Sequence, residues 1–180
     1  MEQIIIETKR LELRLMTPEF YQHLFDQFSE SEQMQILGLK NADELKLERE
    51  KFDKGLRTHN KSFAYFLLFD KSTRNLVGFC GFHMWYLDHN RAEIGYALYD
   101  DSIKRKGLMT EAMTKVLSFG FDELKLHRME AMIGTNNEAS KRLVKGFGFQ
   151  YEGLMKEHYL KDGVYEDSEV YGLIKDHYRR

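Results

Sequence analysis

Residues 91 to 112, R-A-E-I-G-Y-A-L-Y-D-D-S-I-K-R-K-G-L-M-T-E-A, constrain the fold of this chain more than any other stretch. Up to Tyr99 the residues alternate as in a strand, a short polar and basic loop then carries Gly107, and an amphipathic helix begins near Thr110. Met113, Val116, Leu117, Gly120, Phe121 and Leu124 recur at intervals of three and four, which gives that helix one apolar face. A strand, a glycine-bearing loop and a helix N-terminus in that order can hold an anion. The free N–H groups of the first turn, the positive end of the helix dipole and Lys104, Arg105 and Lys106 all serve the same charge. The first expectation is a phosphate-bearing ligand.

A chain of 180 residues can bury a real core without needing a second one, so a single domain spanning 1–180 is expected. Lys and Arg number 27 against 29 Asp and Glu, a balance that gives no general pull toward DNA. With Cys80 the lone cysteine, neither an intrachain disulfide nor a thiolate metal cluster can form, and a reducing, cytoplasmic setting fits. The start Met1-Glu2-Gln3 lacks a basic leader, and Ile4-Ile5-Ile6 is far too short to span a membrane.

Before the central stretch, Leu11, Leu13 and Leu15 alternate with Glu12 and Arg14, the period of a half-buried strand running to about Met16. Thr17 and Pro18 open a helix with Phe20, Leu24, Phe25 and Phe28 on one side. Asn41 and Glu44 open a second, charged helix that runs to Leu56. Residues 63–69 and 76–86 read as a hairpin, and the Asp88-His89-Asn90 turn makes the strand from Arg91 antiparallel to its predecessor. Beyond the central helix come a strand at 129–133, a helix at 138–145, and two strands joined through the Asp162-Gly163 turn. The expected fold is α/β (α+β): a mixed, largely antiparallel seven-stranded sheet flanked by helices, with one parallel crossover at its middle.

Three segments, A-E-I-G-Y at 92–96, K-R-K-G-L-M-T-E-A at 104–112 and N-E-A-S-K-R-L-V-K-G-F-G-F at 137–149, occur in that order and are followed by Glu152-Gly153 and Asp167. Together they resemble the GNAT superfamily of acyl-CoA-dependent N-acetyltransferases, in its ribosomal-protein N-terminal acetyltransferase (RimJ/RimL-like) branch, over nearly the whole length. The resemblance implies acetyl-CoA as cosubstrate, no metal, and direct transfer to an amine in a ternary complex. It assigns the pyrophosphate to Lys104, Arg105, Lys106, Gly107, Leu108, Met109 and Thr110, although Arg105 stands where a glycine is frequent and Met109 where a small residue is usual. Glycine there permits positive φ and close backbone approach, whereas other residues can offer their N–H groups at negative φ.

Acetyl transfer needs a neutral amine, stabilisation of the oxyanion, and care of the departing thiolate. Glu93, eleven residues before Lys104, is the expected base, with Gly95, Ala97 and Tyr99 sharing its strand face as an edge for the acyl and pantetheine groups. The alternative for Glu93 is a structural pair with Arg91. The tyrosine that many members use as an acid is Val144 here, and Ser140 is the expected substitute, relaying a proton or solvating the thiolate. Asn137 is a candidate pantetheine contact, and for both residues the alternative is helix capping. His83, Trp85, Tyr86 and Tyr96 are candidates to line the acceptor side, the alternative for the three aromatic residues being core or sheet-face packing. His127 is expected at a surface corner.

The resemblance implies a protein N-terminal amine as acceptor, such as that of a ribosomal protein. An α-amine, with a pKa of roughly 7.7 to 8.0, is about 3.5 kcal/mol easier to neutralise near pH 7 than a lysine at about 10.4. Polyamines, antibiotics and other small amines are alternatives, and Glu30, Glu32, Asp43, Glu44 and Glu48 could make an acidic acceptor groove. A non-catalytic acyl-CoA-binding module and an RNA-associated protein are the readings from other classes. A homodimer through the last two strands is conceivable.

Overall fold

The computed structural model describes residues 3–53 and 61–178. Its strands are β1 (Ile5–Glu7), β2 (Leu11–Met16), β3 (Lys61–Asp70), β4 (Leu76–Tyr86), β5 (Arg91–Leu98), β6 (Arg128–Gly134), β7 (Gln150–Lys161) and β8 (Val164–Ile174). The helices are α1 (Pro18–Gln27), α2 (Glu30–Leu37), α3 (Ala42–Asp53), α4 (Leu108–Asp122) and α5 (Glu138–Gly146). The sheet order is β1-β2-β3-β4-β5-β6-β8-β7, antiparallel at every step except β5–β6.

Among the described residues the sheet has eight strands, not the seven expected, because Ile5–Glu7 adds an edge to β2 with Ile5 opposite Arg14. Among the described residues three helices, not two, lie between β2 and β3. The extra one, α2, starts with a capping box in which Ser29 and Glu32 satisfy each other's backbone N–H. Thr17 caps α1, with Pro18 at its first turn. The expected extension of α3 to Leu56 falls outside the described residues.

Alternation along the strands divides the apolar side chains between two cores. On one face Leu11, Leu13, Phe66, Phe82, Ile94 and Met129 are buried beneath Met113, Val116 and Leu117 of α4. On the other, Phe63, Leu67 and Phe69 pack with Phe20, Tyr21 and Leu24 of α1. The tertiary amphipathic stripe of α4 is thus matched by one sheet face, and α1 to α3 close the other.

Gly81 sits at the middle of β4, opposite Gly95. A Cβ there would meet the Tyr65 Cα at 2.2 Å, a backbone atom with nowhere to go. Gly81→Ala is therefore expected to destabilise the fold by about 1–3 kcal/mol, the range for overpacking, seen as a fall of several degrees in Tm. An unchanged Tm would mean that β3 and β4 are not held at this separation.

Candidate active site

Strands β5 and β6 pair only at Arg91–Arg128, Ala92–Met129 and Glu93–Glu130. Beyond that point β5 stays on β4 as far as Leu98, while β6 stays on β8 as far as Gly134. The two halves of the sheet therefore part, and the facing backbone edges of residues 94–98 and 131–134 are left without each other. Because the strands are parallel, both run toward the open end of this gap. The loop after β5 leads there to the start of α4, and the turn after β6 leads there to the start of α5.

The helix expected to begin near Thr110 begins two residues earlier, at Leu108. Gly107 is its N-cap, at φ 78, with no side chain to close the first turn, so the N–H groups of Leu108, Met109 and Thr110 are directed off the helix end. Arg105 adopts φ 60, so the backbone takes the glycine-like conformation although the residue is arginine. Positive φ, and not the negative φ open to other residues, is what the loop uses here. Of the residues assigned to this cradle, Leu108 buries its side chain in the core and Met109 packs against it, leaving their backbones as the usable groups. Lys104 is ion-paired with Asp101 at 2.5 Å, and Lys106 is exposed.

The loop is anchored by the turn between β1 and β2. Glu111 accepts from the Arg10 backbone N–H and side-chain Nε, both at 2.7 Å, and from the Thr8 hydroxyl, while Arg10 also donates to the Lys106 carbonyl at 2.9 Å. Burial raises the Glu111 pKa, but Thr8 and Arg10 outweigh it and hold the carboxyl below its ordinary 4.5.

Glu93 lies on the face of β5 away from α4, and its side chain is 16% exposed. Its partner is His83, with Nε2 3.3 Å from the Glu93 carboxylate, and not Arg91, which binds Glu130 at 2.8 Å. The imidazole lies over Gly95, where a Cβ would come within 2.5 Å of Nδ1. His83 reaches this place through a bulge: Phe82 pairs with Ile94 and Met84 with Glu93, so His83 is the extra residue. That bulge also corrects the expectation for Trp85. One inserted residue reverses the alternation, and Trp85 packs against the α4-side core instead of the acceptor side. Tyr96 likewise faces the α4-side core. Tyr86 holds the cations of Lys61 and Arg91 over its ring.

A cavity of about 420 Å³ opens on the Glu93 face, between the sheet and α1 to α3. Its walls include Tyr21, Phe63, Tyr65, Phe79, His83 and Tyr99. Tyr99, expected beside the pantetheine, lines this cavity instead. Glu48 is its one carboxylate among the described residues, and it accepts from the Tyr21 hydroxyl at 2.7 Å and pairs with Lys51 at 3.0 Å. The Tyr21 and Tyr65 hydroxyls are 2.6 Å apart. Of the other acidic residues proposed for a groove, Glu32 and Glu44 instead bond backbone N–H groups at the starts of their helices.

Sequence reasoning also missed an irregularity in β7. Asp167 accepts from the Glu157 N–H and from Lys156, each at 2.8 Å, where the β7–β8 register shifts between Met155 and Tyr159. The phenol of Tyr159 is pushed up by burial and, to a lesser extent, by the charge of Glu93. The positive φ of Glu157 is the local signature, which no residue-type signal announced.

Asn137 caps α5, its Oδ1 accepting from the Ser140 N–H at 3.1 Å. Ala97 lies on the unpaired reach of β5. Ser140 stands in the first turn of α5 beside Tyr96. Val144 is fully buried, so a tyrosine could not stand there without repacking. His127 is exposed at the corner before β6. Among the described residues no group of three or more His, Cys, Asp or Glu could hold a metal ion, and no helix is long and apolar enough to cross a membrane.

The depressed Glu111 carboxyl makes a pH-dependent contribution to stability. It is complete above the ordinary value of 4.5 and is lost as pH falls through the lower folded value. Denaturation midpoints of the wild type and of Glu111→Gln should therefore differ near neutral pH and converge below about pH 4. A constant difference would remove Glu111 from the anchor.

The model of the acetyltransferase (GNAT) domain matches residues 10–150. The uncharacterized N-acetyltransferase YoaA of Bacillus subtilis is 34% identical, covering 95% of this chain and 97% of its own. The crystal structure of a ribosomal-protein-S5-alanine acetyltransferase from Vibrio fischeri superimposes with a TM-score of 0.68 at 20% identity, covering 98% of this chain and 100% of that one. A dodecameric spermidine N-acetyltransferase from Vibrio cholerae superimposes at 0.65 and 20% identity, covering 93% and 95%. A gap between parallel strands, a helix N-terminus at its open end with no side-chain cap and a carboxylate on its far face are thus carried by a chain that belongs to the GNAT family of acetyl-CoA-dependent N-acetyltransferases.

Proposed function

We propose that this enzyme acetylates the N-terminal α-amine of a peptide or protein, with Glu93 as base and His83 beside it. The observation that carries the reading is the cavity on the Glu93 face. Its walls are aromatic and aliphatic, and its one described carboxylate, Glu48, is already engaged by Tyr21 and Lys51. Such a lining suits the first side chain of a peptide better than a polycation, which needs several free carboxylates along its length. The lower pKa of an α-amine favours the same acceptor. A ribosomal protein is one source of such an N-terminus.

In this reading acetyl-CoA lies in the gap between β5 and β6. Its pyrophosphate meets the N–H groups of residues 108–110 and its pantetheine runs along the unpaired edge of β5, with the Asn137 side-chain amide within the same open end. Lys104, Arg105 and Lys106 add positive charge around it. The amine nitrogen attacks the thioester carbonyl from the Glu93 side, forming the C–N bond. N–H groups left free along the gap meet the oxyanion, and the amine proton passes to the Glu93–His83 pair. The C–S bond then breaks with its electron pair on sulfur, toward Ser140.

Two measurements test this. Glu93→Gln should lower kcat by about 100-fold or more, the scale of general base catalysis, with the KM for acetyl-CoA unchanged; full activity at every pH would remove Glu93 from the mechanism. Thiol release should be faster with peptides bearing a free, apolar N-terminus than with spermidine or an aminoglycoside. The opposite order would refute the peptide reading and leave the acetyltransferase intact.

A further inference from the structure

Tyr96 projects from β5 on the face opposite Glu93, three residues past the point where β5 and β6 part. Its hydroxyl is buried, and among the described residues no hydrogen bond of ordinary geometry satisfies it. Ser140, on the first turn of α5, stands beside it. Since α5 follows β6, the tyrosine reaches from one side of the gap to the helix on the other. Cys80, its direct neighbour on β4, is the other titratable group acting on it. Burial pushes the Cys80 thiol far up, so that residue stays neutral and donates little.

Most buried hydroxyls have a partner, and one without a partner costs free energy in the unliganded protein. A residue that breaks this rule beside a substrate gap is matched to something that enters the gap. The acceptor amine comes from the Glu93 face, so the group left for the Tyr96 face is the sulfur. We infer that the Tyr96 hydroxyl, together with Ser140, donates a hydrogen bond to the thiolate of coenzyme A as it leaves.

The step balances without moving the phenolic proton. The C–S electron pair settles on sulfur, the amine proton has already gone to Glu93, and Tyr96 keeps its own proton while solvating the new charge. Burial pushes the Tyr96 phenol up to about 12, partly opposed by Ser140, so it remains an O–H donor across the working range. This inference rests on transfer from acetyl-CoA and not on which amine receives the group.

Tyr96→Phe tests it through three readouts on the intact enzyme. The melting temperature without ligand should stay level or rise, since the variant removes a hydroxyl that has no partner; a clear fall would mean the hydroxyl is structural and would overturn the inference. The kcat should drop about tenfold with the KM for acetyl-CoA unchanged, and an unchanged kcat would also overturn it. The decisive readout is calorimetric binding of coenzyme A and of desulfo-coenzyme A, in which hydrogen replaces the thiol, from about pH 7 to about pH 9.5. A stabilised thiolate makes the wild type favour coenzyme A over the analogue increasingly as pH rises, by about tenfold more than Tyr96→Phe does. Equal ratios in the two proteins, or equal loss of both ligands in the variant, would show that Tyr96 does not touch the sulfur.

Discussion

Everything at this site depends on a hydrogen-bond ladder that stops. β5 and β6 form one short parallel ladder and then separate because each is held more firmly elsewhere, β5 along β4 and β6 along β8. Leaving a buried backbone N–H or C=O without a partner costs about 1–3 kcal/mol, so a gap of this kind is maintained only where something else supplies the missing partners. A pantetheine chain, with its own amide groups, can do so. Both strands are parallel and run toward the open end, which is why the N-termini of α4 and α5 converge there.

The side chains around Glu93 are placed by irregularities in the sheet. On one flank the bulge at His83 turns an imidazole over Gly95 and against Glu93. On the other, Asp167 holds the irregularity in β7 that precedes Tyr159, whose phenol the charge of Glu93 helps push up. The insertion in β4 reverses the positions that follow it, which turns Trp85 to the α4-side core, while β7 advances two extra residues against β8 between Met155 and Tyr159. Gly81 and Gly95, paired across β4 and β5, leave the room in which Tyr65 and His83 lie.

Much of this was legible from residue types, and the failures have physical causes. The Thr17-Pro18 start, the 71–75 and Asp162-Gly163 turns and the face of α4 are local signals, and the structure follows them. The start of α4 was misplaced because Gly107 caps through backbone conformation alone and leaves no side-chain signature. α2 was overlooked although Ser29 and Glu32 have capping-box spacing, because its eight residues carry too weak an apolar stripe. For Trp85 the residue pattern leaves acceptor side and core both open, and the bulge, which alternation cannot show, decides for the core. Tyr96 is different: its parity opposite Glu93 was readable, but its unsatisfied hydroxyl and its neighbour on α5 exist only in three dimensions.

The central claim is that the parted strands and the glycine-capped helix end together form the coenzyme site. Residue-resolved amide hydrogen exchange with and without coenzyme A tests it most directly. Protection should appear together at the β5 backbone from 94 to 98 and at residues 108–110, while amides of the β3–β4 turn at 71–75 stay unchanged. Protection confined to other segments, with both of these stretches exchanging as before, would contradict the account.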